Sequence, residues 1–322
     1  MVDALALTID EDVALGTFRV ASSATSQDKL LRVADRYRRS FARLALDPIE
    51  DARASVSLAS LEMLVQIGEP AAVIAYLERV IVGIDTPFRV AAKSKVSTLI
   101  LDINEAAANA TRCDFTKKCL TKFSKVVPEA VIHAEAHAAE LVTAVSAESR
   151  RAVNGVVQRV FAEGISPKRA ASLIQQTIGL TEVQMNAVVN LQQRILTSPG
   201  SVVYAGRTRI RVPKTGMTAA NLDKATRKYA ERLTRQRALT IARTETVRSA
   251  NEGQIELWKQ ARMRGELPSS IRHEWVLGSA ERTCPVCTSA SGEIVRVGDA
   301  FSTGTASPPA HPSCRCSTGL VM

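Results

Sequence analysis

Two short stretches decide the fold of the C-terminal part of this 322-residue sequence: CPVC at residues 284–287 and PPAHPSCRC at residues 308–316. A CxxC turn lets two thiolates face one ion, and the second stretch adds a histidine and two cysteines. Zinc bound by thiolate and imidazole takes four donors in a tetrahedron. Five candidates therefore compete for four places. We predict zinc ligation by Cys284, Cys287 and His311 with either Cys314 or Cys316.

The predicted zinc is structural. If protein donors fill all four places, no position is left for a reactive water, and the binding free energy helps residues 271–322 to fold. The alternative is a group of reduced thiols that lie near one another without a metal. Disulfides are not expected in a chain without an export signal. The other two cysteines, Cys113 and Cys119, fit no common metal half-site and are expected to be buried and reduced.

The positive charge is concentrated in one segment. The net charge is +10, and residues 207–248 hold twelve Lys or Arg against three Asp or Glu, which leaves +9 in that segment. Such a local field attracts phosphate backbones or acidic protein surfaces, although a solvated helix face is an equally good interpretation. The predicted nucleic-acid-binding residues are Arg207, Arg209, Arg211, Lys214, Lys224, Arg227 and Lys228.

Helical patterns fill the N-terminal part. Apolar residues recur at helical spacing from Asp28 to Leu44, and further helices are predicted for about 55–67, 70–82 and from Pro87 onward, with Gly83 as a stop. Aromatic residues make up only 4% of the chain, which favours cores of small aliphatic side chains. The prediction is a mainly α fold with a helical N-terminal part and a C-terminal α+β domain stabilised by zinc.

Helical patterns also dominate residues 128–262, except for one stretch in which polarity alternates with the two-residue period of a β-strand. We predict helices from Pro128 toward Gly164, from Ser166 to Gly179, and from Thr181, which forms a capping box with Gln184. Residues 202–212 alternate in polarity and predict a strand or hairpin arm with arginines on one side, before a long helix over about 219–262. Short strands and loops follow, with a strand near 273–277.

Other function classes have little support. No apolar run is long enough to cross a bilayer and the first thirty residues lack a basic start followed by an apolar run, so we expect a soluble protein without a signal peptide. His133 and His137 share a helix face, but Glu135 is misplaced for a zinc-protease motif. No recognition helix follows the cysteine knuckle at the spacing of a sequence-specific zinc finger. We assign no catalytic residue and expect no enzyme activity.

Three segments carry a resemblance to a known family. They are IARTE at 241–245, the stretch from Trp275 through Cys284 and Cys287 to Gly292, and PPAHPSCRC at 308–316. Together they resemble the C-terminal domain of Mu F-like phage head-morphogenesis proteins, over about residues 130–322. Ala280 and Glu281 stand where such proteins often have an aspartate before the Arg-Thr-Cys step.

The resemblance implies a minor capsid protein near the portal vertex of a phage head. It implies contacts with the portal protein, the major capsid protein and non-specifically bound double-stranded DNA, with the virion as location and the host cytoplasm as the site of assembly. The expected organisation is a helical region at 1–127 and a Mu F-like domain at 128–322. The alternative is a capsid maturation protease or a toxin-like enzyme carried in the head, since such proteins are sometimes joined to catalytic modules.

Overall fold

The computed structural model describes residues 24–278 and 284–322, apart from the side chains of residues 24, 25 and 80–93. The chain is 65% helical, with a few short strands near its C-terminus, which confirms the predicted mainly α fold class. The elements in chain order are α1 (Ala24–Ser55), α2 (Leu58–Ile67), α3 (Pro70–Thr111), α4 (Pro128–Ala162), α5 (Pro167–Thr177), α6 (Glu182–Thr197), β1 (Val202–Ala205), β2 (Thr208–Arg211), α7 (Ala219–Met263), β3 (Arg272–Val276), α8 (Pro285–Ser289), β4 (Ile294–Arg296) and β5 (Ser317–Val321).

Local sequence signals set most helix boundaries. The Thr181 hydroxyl accepts a bond from the Gln184 amide N–H at 3.3 Å, and the Gln184 side chain accepts one from the Thr181 N–H at 3.2 Å. The predicted capping box at the start of α6 is thus confirmed. Ser166 occupies the position before α5 as predicted, but its side chain makes no capping hydrogen bond.

Helix α3 corrects the predicted break near Gly83 and Pro87. It runs without interruption from Pro70 to Thr111 through both residues. An interior glycine costs about 1 kcal/mol and an interior proline about 3 kcal/mol relative to alanine. Buried apolar residues on both sides of this segment outweigh that cost; they are Val73, Leu77, Val96 and Ile100.

The described residues form two compact units, with boundaries within α1, α3 and α7 and in the segment between α3 and α4. Unit 1 contains the described residues of 24–36, 102–125 and 244–322, and unit 2 contains 37–101 and 126–243. The division into a region 1–127 and a domain 128–322 rests on the family resemblance and stays a prediction.

Unit 2 is an assembly of helices with one hairpin. Its core consists of small aliphatic side chains, largely from α2, α4, α5 and α6. The buried Arg237 of α7 ties these helices together, because its guanidinium donates to the Gly179 carbonyl at 2.6 Å and to the Glu148 carboxylate at 2.8 Å. Strands β1 and β2 pair antiparallel, with Val203 opposite Ile210 and Tyr204 opposite Arg209.

Unit 1 contains the second half of α7 and a three-stranded antiparallel sheet in the order β4-β3-β5. Every residue of β5 is buried. The side chain of Asn251 in α7 binds this strand, since it donates to the Cys316 carbonyl at 3.3 Å and accepts from the Thr318 N–H at 3.1 Å.

The expectation that Cys113 and Cys119 are reduced is wrong. The two cysteines form a disulfide in the loop after α3. Between them, Phe115 is fully buried and packs edge-on against Trp258, with ring centroids 5.3 Å apart. The loop turns back on itself, because the Leu120 N–H bonds to the Arg112 carbonyl at 3.0 Å, and this turn brings the two sulfurs together.

Within the described ranges, no helix combines the length and apolar character needed to cross a membrane. The expected lack of a signal peptide concerns the first thirty residues, most of which lie outside these ranges. Ala280 and Glu281, at the departure from the family pattern, also lie outside them.

Candidate metal centre and basic surface

The CPVC stretch forms a knuckle at the start of α8. Cys284 has an extended backbone (φ −82°, ψ 157°) and precedes the helix, while Pro285 occupies the first helical position, where no amide proton is needed. The Cys284 Sγ accepts a hydrogen bond from the Cys287 N–H at 3.3 Å. This turn therefore places the Cys284 and Cys287 thiols on one side of the chain, as the spacing predicts.

The second stretch forms a turn that faces the knuckle. The Cys314 N–H bonds to the His311 carbonyl at 3.2 Å, and Ser313 between them has a positive φ of 63°. The Ser313 N–H donates to the Thr244 hydroxyl of α7 at 3.0 Å, which fixes the turn to the helix. The Cys316 N–H donates to the Cys314 Sγ at 3.4 Å, as the Cys287 N–H does to Cys284 in the knuckle.

His311 presents one ring nitrogen to the knuckle. Its Nδ1 donates to the Pro312 carbonyl at 3.0 Å, and because a carbonyl can only accept, the proton of the neutral ring lies on Nδ1. The lone pair of Nε2 is thus directed at the sulfurs. Nε2 lies 3.1 Å from Cys284 Sγ and 3.2 Å from Cys287 Sγ. A second interaction that fixes the tautomer in this way is typical of metal-binding histidines.

The five predicted ligands form two overlapping groups that could hold a metal ion. Cys284, Cys287 and His311 form one group, and Cys287, Cys314 and Cys316 the other, with all ligand atoms of a group within 4.8 Å of one another. Cys287 Sγ lies 3.6 Å from Cys314 Sγ. Zinc–sulfur bonds of about 2.3 Å at the tetrahedral angle separate two sulfurs by about 3.8 Å, so this spacing suits a shared ion.

Two of these thiols have a raised pKa, which favours their protonated form unless a cation is present. Burial is the main cause that raises the pKa of Cys287 to about 12. The pKa of Cys314 is also raised, first by its hydrogen bond to Cys316 and then by burial. That same bond lowers the pKa of Cys316. A divalent cation reverses the effect of burial by stabilising thiolates, so the donor set fits a metal whose binding releases protons.

A small apolar cluster packs around the metal-binding groups. Trp275 of β3 is fully buried and meets Phe301 edge-on, with ring centroids 5.2 Å apart. Three of the cysteines are buried in this cluster, and only Cys284 is partly exposed. Within the described part of the chain, both groups of three or more metal-ligating side chains lie in this tail, and neither contains His133 or His137.

Four of the seven basic residues predicted to bind nucleic acid divide between two surfaces of unit 2. Opposite residues of an antiparallel pair share a face, so Arg209 and Arg211 project on the same side as Tyr204, which is 56% exposed. The other face of the hairpin, with Val203, Ala205, Thr208 and Ile210, looks toward α7. Lys224 and Lys228 of α7 lie on that inner side.

The comparison with known families bears on the C-terminal part of the chain. Residues 212–319 match the family model described as Phage Mu protein F like protein. The suspected resemblance is thereby confirmed for this region, and it supports a role in phage head morphogenesis and an association with the virion. No curated protein and no solved structure matches the chain.

The Mu F-like region contains both halves of the metal centre and all of α7. It also includes Lys214, Lys224, Arg227 and Lys228, whereas Arg207, Arg209 and Arg211 lie just before it. All seven basic residues are exposed, and none of them forms an ion pair with any residue in 24–278 or 284–322. The segment thus offers positive charge, unpaired among the described residues, both within the Mu F-like region and just before it.

Sequence reasoning missed the residue that holds the hairpin to α7. The Arg232 guanidinium donates to the Thr208 hydroxyl at 2.6 Å and to the Ala205 carbonyl, and it lies 4.9 Å from the centre of the Tyr229 ring. Arg232 therefore uses its donors inside the fold, unlike the seven exposed cations. The sequence signal that could have placed Arg232 near the hairpin is its spacing of four residues from Lys228, which puts both side chains on one face of the helix.

Proposed function

We propose that this protein is a minor head protein, bound near the portal vertex of a phage capsid and in contact with the portal protein, the major capsid protein and packaged double-stranded DNA. The observation that carries the proposal is the family match over residues 212–319. The unpaired basic residues beside that region support the DNA contact, because a surface close to packaged DNA meets a high density of phosphate.

In this proposal the metal is one zinc ion with a structural role. The donor set of thiolates and one imidazole is the set that zinc prefers, and four protein ligands leave no site for a reactive water. Both half-sites belong to unit 1, where Thr244 and Asn251 attach the second one to α7. The ion would therefore clamp the β5 segment and the loops before it to this helix.

The outer face of the hairpin is the proposed duplex contact. Arg209 and Arg211 project from one face of β2, and Arg207 lies in the turn beside them. Guanidinium groups bind phosphate oxygens without reading the sequence of bases. Binding should thus be non-specific and strongly dependent on salt.

Salt dependence tests the DNA contact. Replacing Arg207, Arg209 and Arg211 together by Gln should reduce the slope of log affinity against log salt by about 2.7, since each phosphate contact contributes about 0.9. The matched control removes three exposed arginines of α1 and should leave the slope unchanged; they are Arg32, Arg36 and Arg39. An unchanged slope in the hairpin variant would exclude this surface from the DNA contact.

Position in the particle tests the head-assembly role itself. Electron microscopy of assembled heads carrying a labelled protein should locate the label at one vertex. A label spread evenly over the shell would contradict the portal-proximal position. A protein absent from purified particles would contradict the minor-capsid role.

We also propose that the protein has no enzyme activity. Its metal centre can fill its coordination with side chains, which favours a clamp over a reaction centre. The test is incubation of the purified protein with the head proteins encoded beside it. Specific cleavage of any of them would show a maturation protease instead.

A further inference from the structure

A cavity of about 350 Å³ lies in unit 2 between the inner face of the β1–β2 hairpin and the first turns of α7. Its lining combines two kinds of side chain. Ala205, Ile210, Ala225 and Tyr229 are buried or half-buried and provide an apolar floor, while Thr208, Lys224 and Lys228 are exposed at the rim. The volume falls within the range of small-ligand sites, in which a few polar groups border a mainly apolar pocket.

The rim carries uncompensated charge. Lys224 and Lys228 lie four residues apart on α7 and so on one face of the helix, where like charges repel each other. Neither ammonium is in an ion pair with any of the residues that the structure describes. An anion between the two would relieve this repulsion and accept hydrogen bonds from both.

The walls of the cavity are held in place without using the lysines. Arg232 joins α7 to the hairpin through Thr208 and Ala205 and covers one side of the Tyr229 ring. Gly206 in the hairpin turn allows this arrangement, because a Cβ atom there would come within 2.8 Å of the Arg232 Nη2. Arg232 is thus a positioning residue, and the cavity exists before any ligand binds.

An apolar floor beside two cations suits a ligand that joins a flat, weakly polar group to a phosphate. We infer that this cavity binds a nucleoside phosphate, with the base on the floor and the phosphate between Lys224 and Lys228. The inference deepens the proposed nucleic-acid contact and rests on it. Duplex DNA keeps its bases stacked and paired, so only an unpaired nucleotide of a strand or a free nucleotide can enter.

The cavity and the outer hairpin face should therefore distinguish single strands from duplexes. Single strands should depend on Lys224 and Lys228 at the cavity, and duplexes on Arg209 and Arg211 of the outer hairpin face. Each pair carries two positive charges on exposed side chains, so the two double variants are matched in charge. A difference between them cannot come from net charge alone.

The experiment measures fluorescence anisotropy of a labelled short oligothymidine and of a labelled duplex with the full-length protein. The K224Q/K228Q variant should bind the single strand at least about tenfold more weakly and the duplex within about twofold of the unchanged protein. The R209Q/R211Q control should weaken duplex binding and leave single-strand binding within about twofold of the unchanged protein. Equal loss of single-strand affinity in both variants would overturn the inference, because the loss would then follow from the removal of positive charge anywhere on this surface and not from the cavity.

A third variant separates the floor from the charge. Ala225→Leu fills part of the cavity with a larger side chain and removes no cation. It should weaken single-strand binding by a similar factor and leave duplex binding unchanged, with circular dichroism confirming that the helices are intact. Unchanged single-strand affinity in this variant would overturn the placement of the base on the floor.

Competition with thymidine monophosphate identifies the source of the ligand. Displacement of the oligothymidine by the free nucleotide would show that a single nucleoside phosphate is the recognised unit. Displacement by unlabelled oligothymidine alone would assign the cavity to a strand. No single-strand binding at all would overturn the inference, whereas failure of duplex binding alone would overturn only the proposed duplex contact.

Discussion

Gly253 of α7 lies directly against the backbone of Asn104 in α3. A Cβ atom on Gly253 would come within 2.4 Å of both the Cα and the carbonyl oxygen of Asn104. Real Cβ atoms do not approach backbone so closely, so the two helices of unit 1 can cross here only because residue 253 has no side chain.

Gly253→Ala should therefore destabilise the protein by about 2–4 kcal/mol, although alanine is the better helix former by about 1 kcal/mol. The measurement is the urea midpoint of unfolding followed by circular dichroism. Gly155→Ala is the control, because a Cβ there would meet only the flexible end of Met185, at 2.9 Å. Similar stability of both variants would contradict the close crossing.

Removing the knuckle thiols should remove the metal. We expect one zinc per chain in the unchanged protein and almost none in the Cys284→Ser, Cys287→Ser double variant, measured by elemental analysis of purified protein. The variant should also unfold at a lower temperature, because metal binding contributes to folding of the tail. Full zinc content in the double variant would refute this site.

The two last cysteines should differ in their effect on zinc. The Cys314 Sγ lies 3.6 Å from the Cys287 Sγ and is our candidate for the fourth ligand. Cys316 interacts with Cys314 and with the backbone of Gly278, which suits a supporting role. Zinc affinity, measured by competition with a chelating dye, should fall strongly in Cys314→Ser and only modestly in Cys316→Ser. The reverse order would make Cys316 the ligand.

His273 should make unit 1 sensitive to acid. It is fully buried beside Phe301, and burial lowers its pKa to about 4, with Asp299 opposing this shift and Lys259 adding to it. Because the unfolded histidine titrates near 6.5, its contribution to stability is complete above that pH and is lost as pH falls toward 4. The loss should amount to about 3 kcal/mol.

His273→Phe removes the titrating group and keeps an aromatic ring in the cluster. Its free energy of unfolding should depend less on pH between about 4 and 6.5 than that of the unchanged protein. Acid also protonates the zinc ligands, but this affects both proteins equally and cancels in the comparison. Parallel curves for the two proteins would show that His273 does not titrate in this range.

The sequence was most informative where a signal depends on neighbouring residues. The capping box of Thr181 and Gln184 and the CPVC knuckle are contained within a few positions, so their geometry follows from local rules. The same holds for the polarity alternation that predicts a strand or hairpin arm, and the structure forms strand β2 there, with Ile210 paired to Val203 of β1.

Contacts between distant positions could not be predicted in this way. Nothing near Asn251 indicates that its amide binds the backbone at Cys316 and Thr318, and nothing near Gly253 indicates Asn104. The division of the basic residues into two surfaces was also missed. It depends on which face of the hairpin meets α7, and composition carries no information on that contact.

The segmented make-up of unit 1 has a consequence for synthesis. Its residues come from 24–36, 102–125 and 244–322, whereas unit 2 ends at Arg243. A ribosome therefore delivers all of unit 2 before strands β3, β4 and β5 and the metal-binding cysteines of unit 1 emerge, and domains generally fold as they are released. The second half of α7 therefore lacks its contacts with β5 until that strand has been synthesised. We expect the nascent chain to be most prone to aggregation while residues 244–321 are being synthesised.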